Sequence, residues 1–325
     1  MSLMFGLRFD FRNPSFANTS MADRYTAAVE MAEWADRLGA ITVTLSEHHG
    51  SPDGYLPSPL PMLGAMAART TNVRFMVAAL IAPFYDPIRL AEDLVVLDQL
   101  SKGRIDLIVA GGYVREEFEM YGVPSNERGA RVTEAVHTLK AAFTGEPFDF
   151  RGRKVQVTPP PYRPGGPGIT LGGSSEAAAR RAARIADGFL PATPDSWEFY
   201  RDELKVLGRE DPGPCPIGAN RTVALAENAD AGWERFAPYF LHETNAYGAW
   251  LAQNDGDGPY RIVSDVDELR ANGEYAVLTP AEYVAELKAA PFAFALLHPM
   301  CGGIPPELAW ESLRLFENEV IPEFA

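Results

Sequence analysis

From Met4 to Phe11 apolar and polar positions alternate, which predicts a strand. Asp23 to Leu38 carries Tyr25, Val29 and Ala32 at helical spacing and stops before Gly39, which predicts a helix. The β-branched run Ile41 to Ser46 predicts a second strand. A helix is expected over Pro59 to Arg69, with proline near its start. Arg74 to Ile81 is an apolar run of strand length. Asp86 caps a helix with Pro87 in its first position, ending near Ser101 before Gly103. A strand over Arg104 to Val109 and a long helix over Glu127 to Thr144, closed by Gly145, complete the fourth repeat. Near-continuous apolar strands alternating with helices predict a parallel sheet covered on both faces.

The alternation then breaks. Phe148 to Val157 reads as a small hairpin and the Pro- and Gly-rich Pro159 to Gly168 as a loop. It resumes with a strand over Ile169 to Leu171, a helix over Glu176 to Ala186 and a short strand over Gly188 to Leu190. A helix over Asp195 to Leu207 and a seventh strand over Ile217 to Ala226 follow. Asp230 to Leu251 is helical and rich in aromatic residues, Asn254 to Gly258 turn-like, and Pro280 to Leu287 helical. Phe292 to Leu297 gives strand eight and Glu307 to Val320 the last helix. Eight strand–helix units predict an α/β fold of the (β/α)8 TIM-barrel kind, one domain over 1–325, with an insertion near 145–168 and its least regular stretch near 228–280.

Hydrophobic residues make up 46% of the 325, which suffices for a large core. The formal net charge of −15 disfavours nucleic acid and anionic membranes as partners. An anionic cofactor therefore needs a local site working against the global field. The two cysteines, Cys215 and Cys301, allow at most one disulfide, and a reducing cytosol is expected. No apolar run approaches the ~20 residues of a membrane span. The start lacks the pattern of a signal peptide, and Met4 is read as the natural first residue.

In a barrel of this kind chemistry sits where strands end, and four segments fall there. Gly172-Gly173-Ser174-Ser175 leads from a strand into a helix start, which suits a phosphate or is simply a helix cap. Glu47-His48-His49 follows strand two; neighbouring strand residues face opposite ways, so no shared metal is expected. One of the two histidines serves as a proton donor or acceptor, or as a structural strand-end group. Gly111-Gly112 lets a planar ligand pass close to backbone, or makes the turn. Ala78-Ala79 lies in strand three. Asp53, Gly54 and Tyr55 suggest a mobile rim near His48, and the aromatics from Trp233 to Trp250 either line an apolar pocket or pack the helix. His137 is placed mid-helix, and His298-Pro299 within reach of the mouth. Pro214-Cys215-Pro216 has no basic neighbour to activate a thiol.

In this order, Glu47-His48-His49-Gly50, Ser58-Pro59, Ala67 to Thr70, the strand Val73 to Ile81, Asp86 to Asp93, Leu97 to Arg104, Glu117-Phe118, Tyr121-Gly122, Thr144 to Pro147, Gly172 to Ser174, Ala182 to Arg184 and Ala186 to Gly188 resemble the luciferase-like monooxygenase family. The resemblance runs over roughly residues 4 to 190 and is weaker beyond. It implies a TIM barrel of the bacterial luciferase-like type with insertions, binding a flavin at its mouth. His48 matches the family's active-site histidine, a general base or hydrogen-bond donor beside the flavin. Ala78-Ala79 matches a non-prolyl cis peptide against the ring, and Gly172 to Ser175 the phosphate-binding turn, with Gly111 also at the cofactor. In bacterial luciferase a reactive cysteine and a phosphate-binding arginine stand where Ala110 and Gly111 stand here. Light emission is therefore not expected, and phosphate affinity must come from elsewhere, with Arg128, Arg131, Arg180 and Arg181 as candidates.

The implied activity is a flavin-dependent monooxygenase using reduced FMN and O2 on a small organic substrate. A separate flavin reductase is the expected partner, because the chain carries no Rossmann dinucleotide fingerprint. Hydride transfer with a deazaflavin coenzyme is the alternative, and a non-catalytic flavin-binding protein a third reading. A homodimer in the cytoplasm is the family expectation.

Overall fold

A computed structural model describes residues 2–215, 221–253 and 260–324. Its strands are β1 Met4–Phe9, β2 Thr42–Leu45, β3 Arg74–Ile81, β4 Ile105–Ala110, β5 Phe148–Phe150, β6 Arg153–Val155, β7 Gly168–Gly173, β8 Gly188–Pro191, β9 Thr222–Leu225, β10 Tyr275–Leu278 and β11 Phe294–Leu297. Contacts divide the chain into two units, one formed by 1–44, 48–57 and 219–325, the other by 45–47 and 58–218.

The second unit is a run of parallel strands in the order β3, β4, β7, β8, with Phe75 opposite Ile105, Asp106 opposite Gly168 and Thr170 opposite Gly188. Phe75, Val77 and Leu80 on β3, Ile105, Leu107, Ile108 and Val109 on β4, and Ile169 and Leu171 on β7 are buried. Such apolar strands are what a sheet covered on both faces requires. The helix Pro87–Ser101 starts where Asp86 accepts from the N–H groups of Ile88 and Arg89, and ends with Lys102 in the left-handed region, φ 56°. The Leu97 to Arg104 motif is structural: the Arg104 guanidinium donates to the carbonyls of Ala67, Thr70 and Val73. The expected hairpin is present as antiparallel β5 and β6.

In the first unit β1 pairs with β11 and β9 with β10, both parallel. A Cβ on Gly6 would lie 2.8 Å from the Thr42 carbonyl, so only glycine lets β1 approach that backbone. The helix Met21–Arg37, capped by Ser20, buries Ala28, Met31, Ala32 and Trp34 and donates from the Trp34 indole to Glu317 at 2.8 Å. The fully buried Arg24 donates from Nη1 to the carbonyls of Gly303 and Ile304 and from Nη2 to that of Met300. The long helix Ala229–Gln253 buries Trp233, Phe236 and Phe240.

Several elements differ from expectation. The helices Arg115–Tyr121 and Val266–Asn272 and the strand β10 were not predicted. Each helix is two turns and the strand four residues, too short for a hydrophobic period to stand out. The last helix is α-helical over Pro306–Leu315 and continues as a π turn over Phe316–Val320. Residues 217–220 of the expected seventh strand, the turn Asn254 to Gly258, and Pro216 beside Cys215 lie outside the described residues. Among the described residues no helix is long and apolar enough to cross a membrane.

Candidate active site

His48 and His49 lie past the end of β2 at Leu45 and are both buried. Strand alternation therefore does not govern their directions, contrary to the sequence argument. The His48 N–H donates to the Leu56 carbonyl at 3.2 Å. Its ring sits 4.4 Å from that of Trp250, tilted by 34°, and 4.9 Å from Tyr55, edge-on at 89°. Tyr247 lies farther, at 6.1 Å. The hydroxyls of Tyr55 and Tyr247 share a hydrogen bond of 2.6 Å, and Tyr247 stacks on Tyr260 at 4.4 Å.

The Arg12 guanidinium, almost wholly buried, lies 4.7–4.8 Å from the ring centres of Tyr55, Tyr247 and Trp250, within cation–π range of all three. Arg12 donates to Asp53 Oδ2 at 2.5 Å, and His242 Nε2 is 2.7 Å from the same oxygen. Burial alone would raise the Asp53 pKa, but the hydrogen bond with His242, the Arg12 charge and the Ser51 hydroxyl hold it well below the carboxylate range. Burial lifts the Tyr247 phenol to about 12 against the pull of Arg8 and Arg12, so it remains a neutral hydrogen-bonding group.

Two expectations are corrected here. Asp53 and Tyr55 do not form a mobile rim: they are 8% and 2% exposed and tied to Arg12, His242 and Tyr247. The aromatics from Trp233 to Trp250 divide, with Trp233, Phe236 and Phe240 packing the helix and Tyr247 and Trp250 turned to His48. Sequence reasoning missed Arg12 and assigned no role to Asp53 or His242 as its partners. The signal present was the charged spacing Arg8, Asp10 and Arg12, of which only Arg8 lies in β1.

In the second unit the Glu47 carboxylate accepts from the Ile81 N–H and from the Tyr85 hydroxyl, each at 3.1 Å. It thus fixes the end of β3, in which the Ala78–Ala79 peptide is cis and the register with β4 shifts. Gly112 has φ +73°, and a Cβ there would meet Ile81 at 2.9 Å; Gly111 lies against the stem of Arg128. Gly172 and Gly173 end β7. Ser174 is exposed, and Ser175 is the cap, accepting from the Ala178 N–H at the start of the helix Glu176–Ile185. A Cβ on Gly173 would lie 2.7 Å from that of Ala178.

The four candidate arginines separate by their partners. Arg131 pairs with Glu127, and Arg180 with Glu176 and Glu203. Neither the Arg128 nor the Arg181 side chain has a hydrogen bond or ion pair among the described residues. Arg181 is half-buried, desolvation lowers its pKa, and Gly129 makes room for it: a Cβ at Gly129 would lie 2.5 Å from Arg181 Nη2. An unpartnered, partly desolvated guanidinium is suited to an anion. His137 is mid-helix and exposed, and Cys215 and Cys301 are free thiols.

The sequence model of a family described as luciferase-like monooxygenase matches residues 4–290. The oxygenase component of the flavin-dependent trigonelline monooxygenase of Acinetobacter baylyi is 28% identical over 152 residues, 45% of this chain and 42% of that protein. The F420-dependent glucose-6-phosphate dehydrogenase of Nocardia farcinica is 29% identical over 187 residues, 54% of this chain and 56% of that protein. The chain thus aligns with about half the length of each. The crystal structure of monooxygenase RslO1 from Streptomyces bottropensis superposes with a TM-score of 0.76 at 24% identity, covering 99% of this chain and 100% of that one. This likeness shows the fold, a TIM barrel of the luciferase type with insertions.

Proposed function

This chain belongs to the luciferase-like monooxygenase family of oxidoreductases, and from that premise we propose that it is a flavin-dependent monooxygenase acting with reduced FMN and O2 on a small organic substrate. The observation that carries the reading is the enclosure of His48 by Tyr55 and Trp250, with the charge of Arg12 among the same rings. Aromatic walls around one titratable group keep water from it while leaving it able to hold or pass a proton.

We assign the catalytic role to His48, and cofactor binding to Ala78, Ala79, Gly111 and the turn Gly172, Gly173, Ser174 and Ser175. Arg181 supplies the cation for the cofactor phosphate, replacing the arginine that luciferase carries at the position of Gly111. The residues present fit the group: Ser174 is exposed beside the start of the helix Glu176–Ile185, and the Arg181 guanidinium has no hydrogen bond or ion pair among the described residues. When bound, reduced FMN supplies the electrons that activate O2. The protein's part is to seat the phosphate, hold β3 in place through Glu47, and keep the proton at His48. Similarity to an oxygenase component supports a separate reductase as the source of reduced flavin. The reading takes the chain as one cytoplasmic domain that pairs as a homodimer.

The similarity to an F420-dependent dehydrogenase favours a second reading, hydride transfer with a deazaflavin coenzyme. Titration of the protein with FMN, reduced FMN and a deazaflavin coenzyme, followed by fluorescence, separates them. Tighter binding of reduced FMN, followed by substrate-dependent O2 uptake, is expected. Binding of the deazaflavin alone would overturn the monooxygenase reading.

A further inference from the structure

We propose that Glu243, His298 and Cys301 form a binding site for one zinc-type transition-metal ion. Glu243 comes from the long helix, His298 follows β11 directly, and Cys301 begins the 3-10 turn Cys301–Gly303. One donor atom from each lies within 4.8 Å of the others, and all three side chains are buried. His298 Nδ1 is 3.5 Å from Glu243 Oε1. Two ligands bonded at ~2.0–2.1 Å to one tetrahedral ion sit about 3.4 Å apart, so this pair is spaced for a shared metal.

Neither ring nitrogen of His298 nor Oε1 of Glu243 has a hydrogen-bond partner among the described residues. Buried polar atoms are rarely left so, because each has given up its bonds to water with no replacement. An ion bound to Nδ1 and Oε1 satisfies two of the three. The third, Nε2, faces Asp10 Oδ2 at 3.6 Å, longer than a hydrogen bond but on the side where a carboxylate orients a zinc-bound histidine. Glu243 Oε2 accepts from the Tyr275 hydroxyl at 2.8 Å and from the Cys301 thiol at 2.7 Å; the second bond is given up when the ion displaces the thiol proton, and Tyr275 then holds Oε2 alone.

A thiolate, an imidazole and a carboxylate select zinc or a similar ion over magnesium or calcium, which prefer oxygen alone. The charge balance allows it. Arg8 lies 3.8 Å from Glu243, but its side chain is 23% exposed, leaving it a route to solvent. An ion of charge +2 that releases the Cys301 proton adds only one net positive charge, next to two carboxylates, Asp10 and Glu243.

The test is elemental analysis of protein produced with zinc or cobalt in the medium and dialysed against a mild chelator. About one ion per chain is expected, and the cobalt form shows a thiolate-to-cobalt absorption band. In Cys301→Ser, with its circular dichroism unchanged, the band disappears. Loss of an outer-sphere partner alone costs ~10–100-fold in affinity, and loss of a ligand costs more. Wild-type protein that retains no ion overturns the proposal whether or not the variant folds, as does a variant with the same stoichiometry and spectrum. Neither result bears on the flavin, whose binding is titrated separately.

Discussion

The imidazole of His48 lies over the indole of Trp250, 4.4 Å between ring centres and 34° from parallel. The histidine is therefore walled on that side by a ring that is itself half-buried. If His48 holds the proton in the reaction, His48→Ala lowers kcat/KM by about 10²–10⁴-fold while FMN affinity stays near wild type. Steady-state kinetics beside a fluorescence titration measures both. Equal kcat/KM in the two proteins would remove His48 from the chemistry.

Trp250→Ala opens the same histidine to water. More flavin is then oxidised without product, and hydrogen peroxide rises at the expense of oxygenated substrate. The ratio of peroxide to product is the quantity to follow. An unchanged ratio would mean that the indole packs without guarding the site.

Arg181→Gln removes a cation assigned to the FMN phosphate. Hydrogen bonds to charged groups contribute about 1.5–3 kcal/mol, so the FMN dissociation constant rises about 10- to 100-fold. Riboflavin, which lacks the phosphate, binds both proteins alike. A parallel loss for riboflavin would show that Arg181 acts on the fold rather than on the phosphate.

Asp53 links pH to stability. Its folded pKa lies below the unfolded value of ~3.9, so its contribution is complete above that value and is lost as pH falls through the folded pKa. Asp53→Asn removes the nearer of two carboxylates beside the buried Arg12, leaving Asp10 at 3.9 Å, and costs up to roughly 3 kcal/mol near neutrality. Its Tm also falls less steeply than that of the wild type as the solution is acidified below about pH 4. Melting both proteins across the acid range checks this, and parallel acid limbs would contradict it.

Gly173→Ala places a methyl group 2.7 Å from the Ala178 Cβ, a methyl that cannot swing aside. Overpacking of this kind costs about 1–3 kcal/mol, visible as a lower Tm in the absence of flavin. An unchanged Tm would show that the helix start shifts freely.

The alternation of apolar strands and helices was legible because strands such as Phe75 to Ile81 expose no position fully, so a local run of sequence carries a global fact. The turn at Gly172 to Ser175 was legible for a similar reason, since capping and glycine conformations are settled within a few residues. The surroundings of His48 were not. Tyr55 meets Tyr247 across 192 positions and Asp53 meets His242 across 189, and no local period records such a pairing. Asp53-Gly54-Tyr55 has the composition of an exposed turn, and only the distant Arg12 and Tyr247 make it buried. The resemblance to the family supplied His48 but none of these partners.

The carboxylate of Asp53 joins Arg12, near the start of the chain, to His242, which follows more than two thirds of it. During synthesis Arg12 and Asp53 are available early, yet His242 and Trp250 leave the ribosome late. Closing a connection of that length is slow relative to local helix formation. The pocket around His48 is therefore among the last parts to assemble, and a chain interrupted before residue 242 carries the histidine without its enclosure.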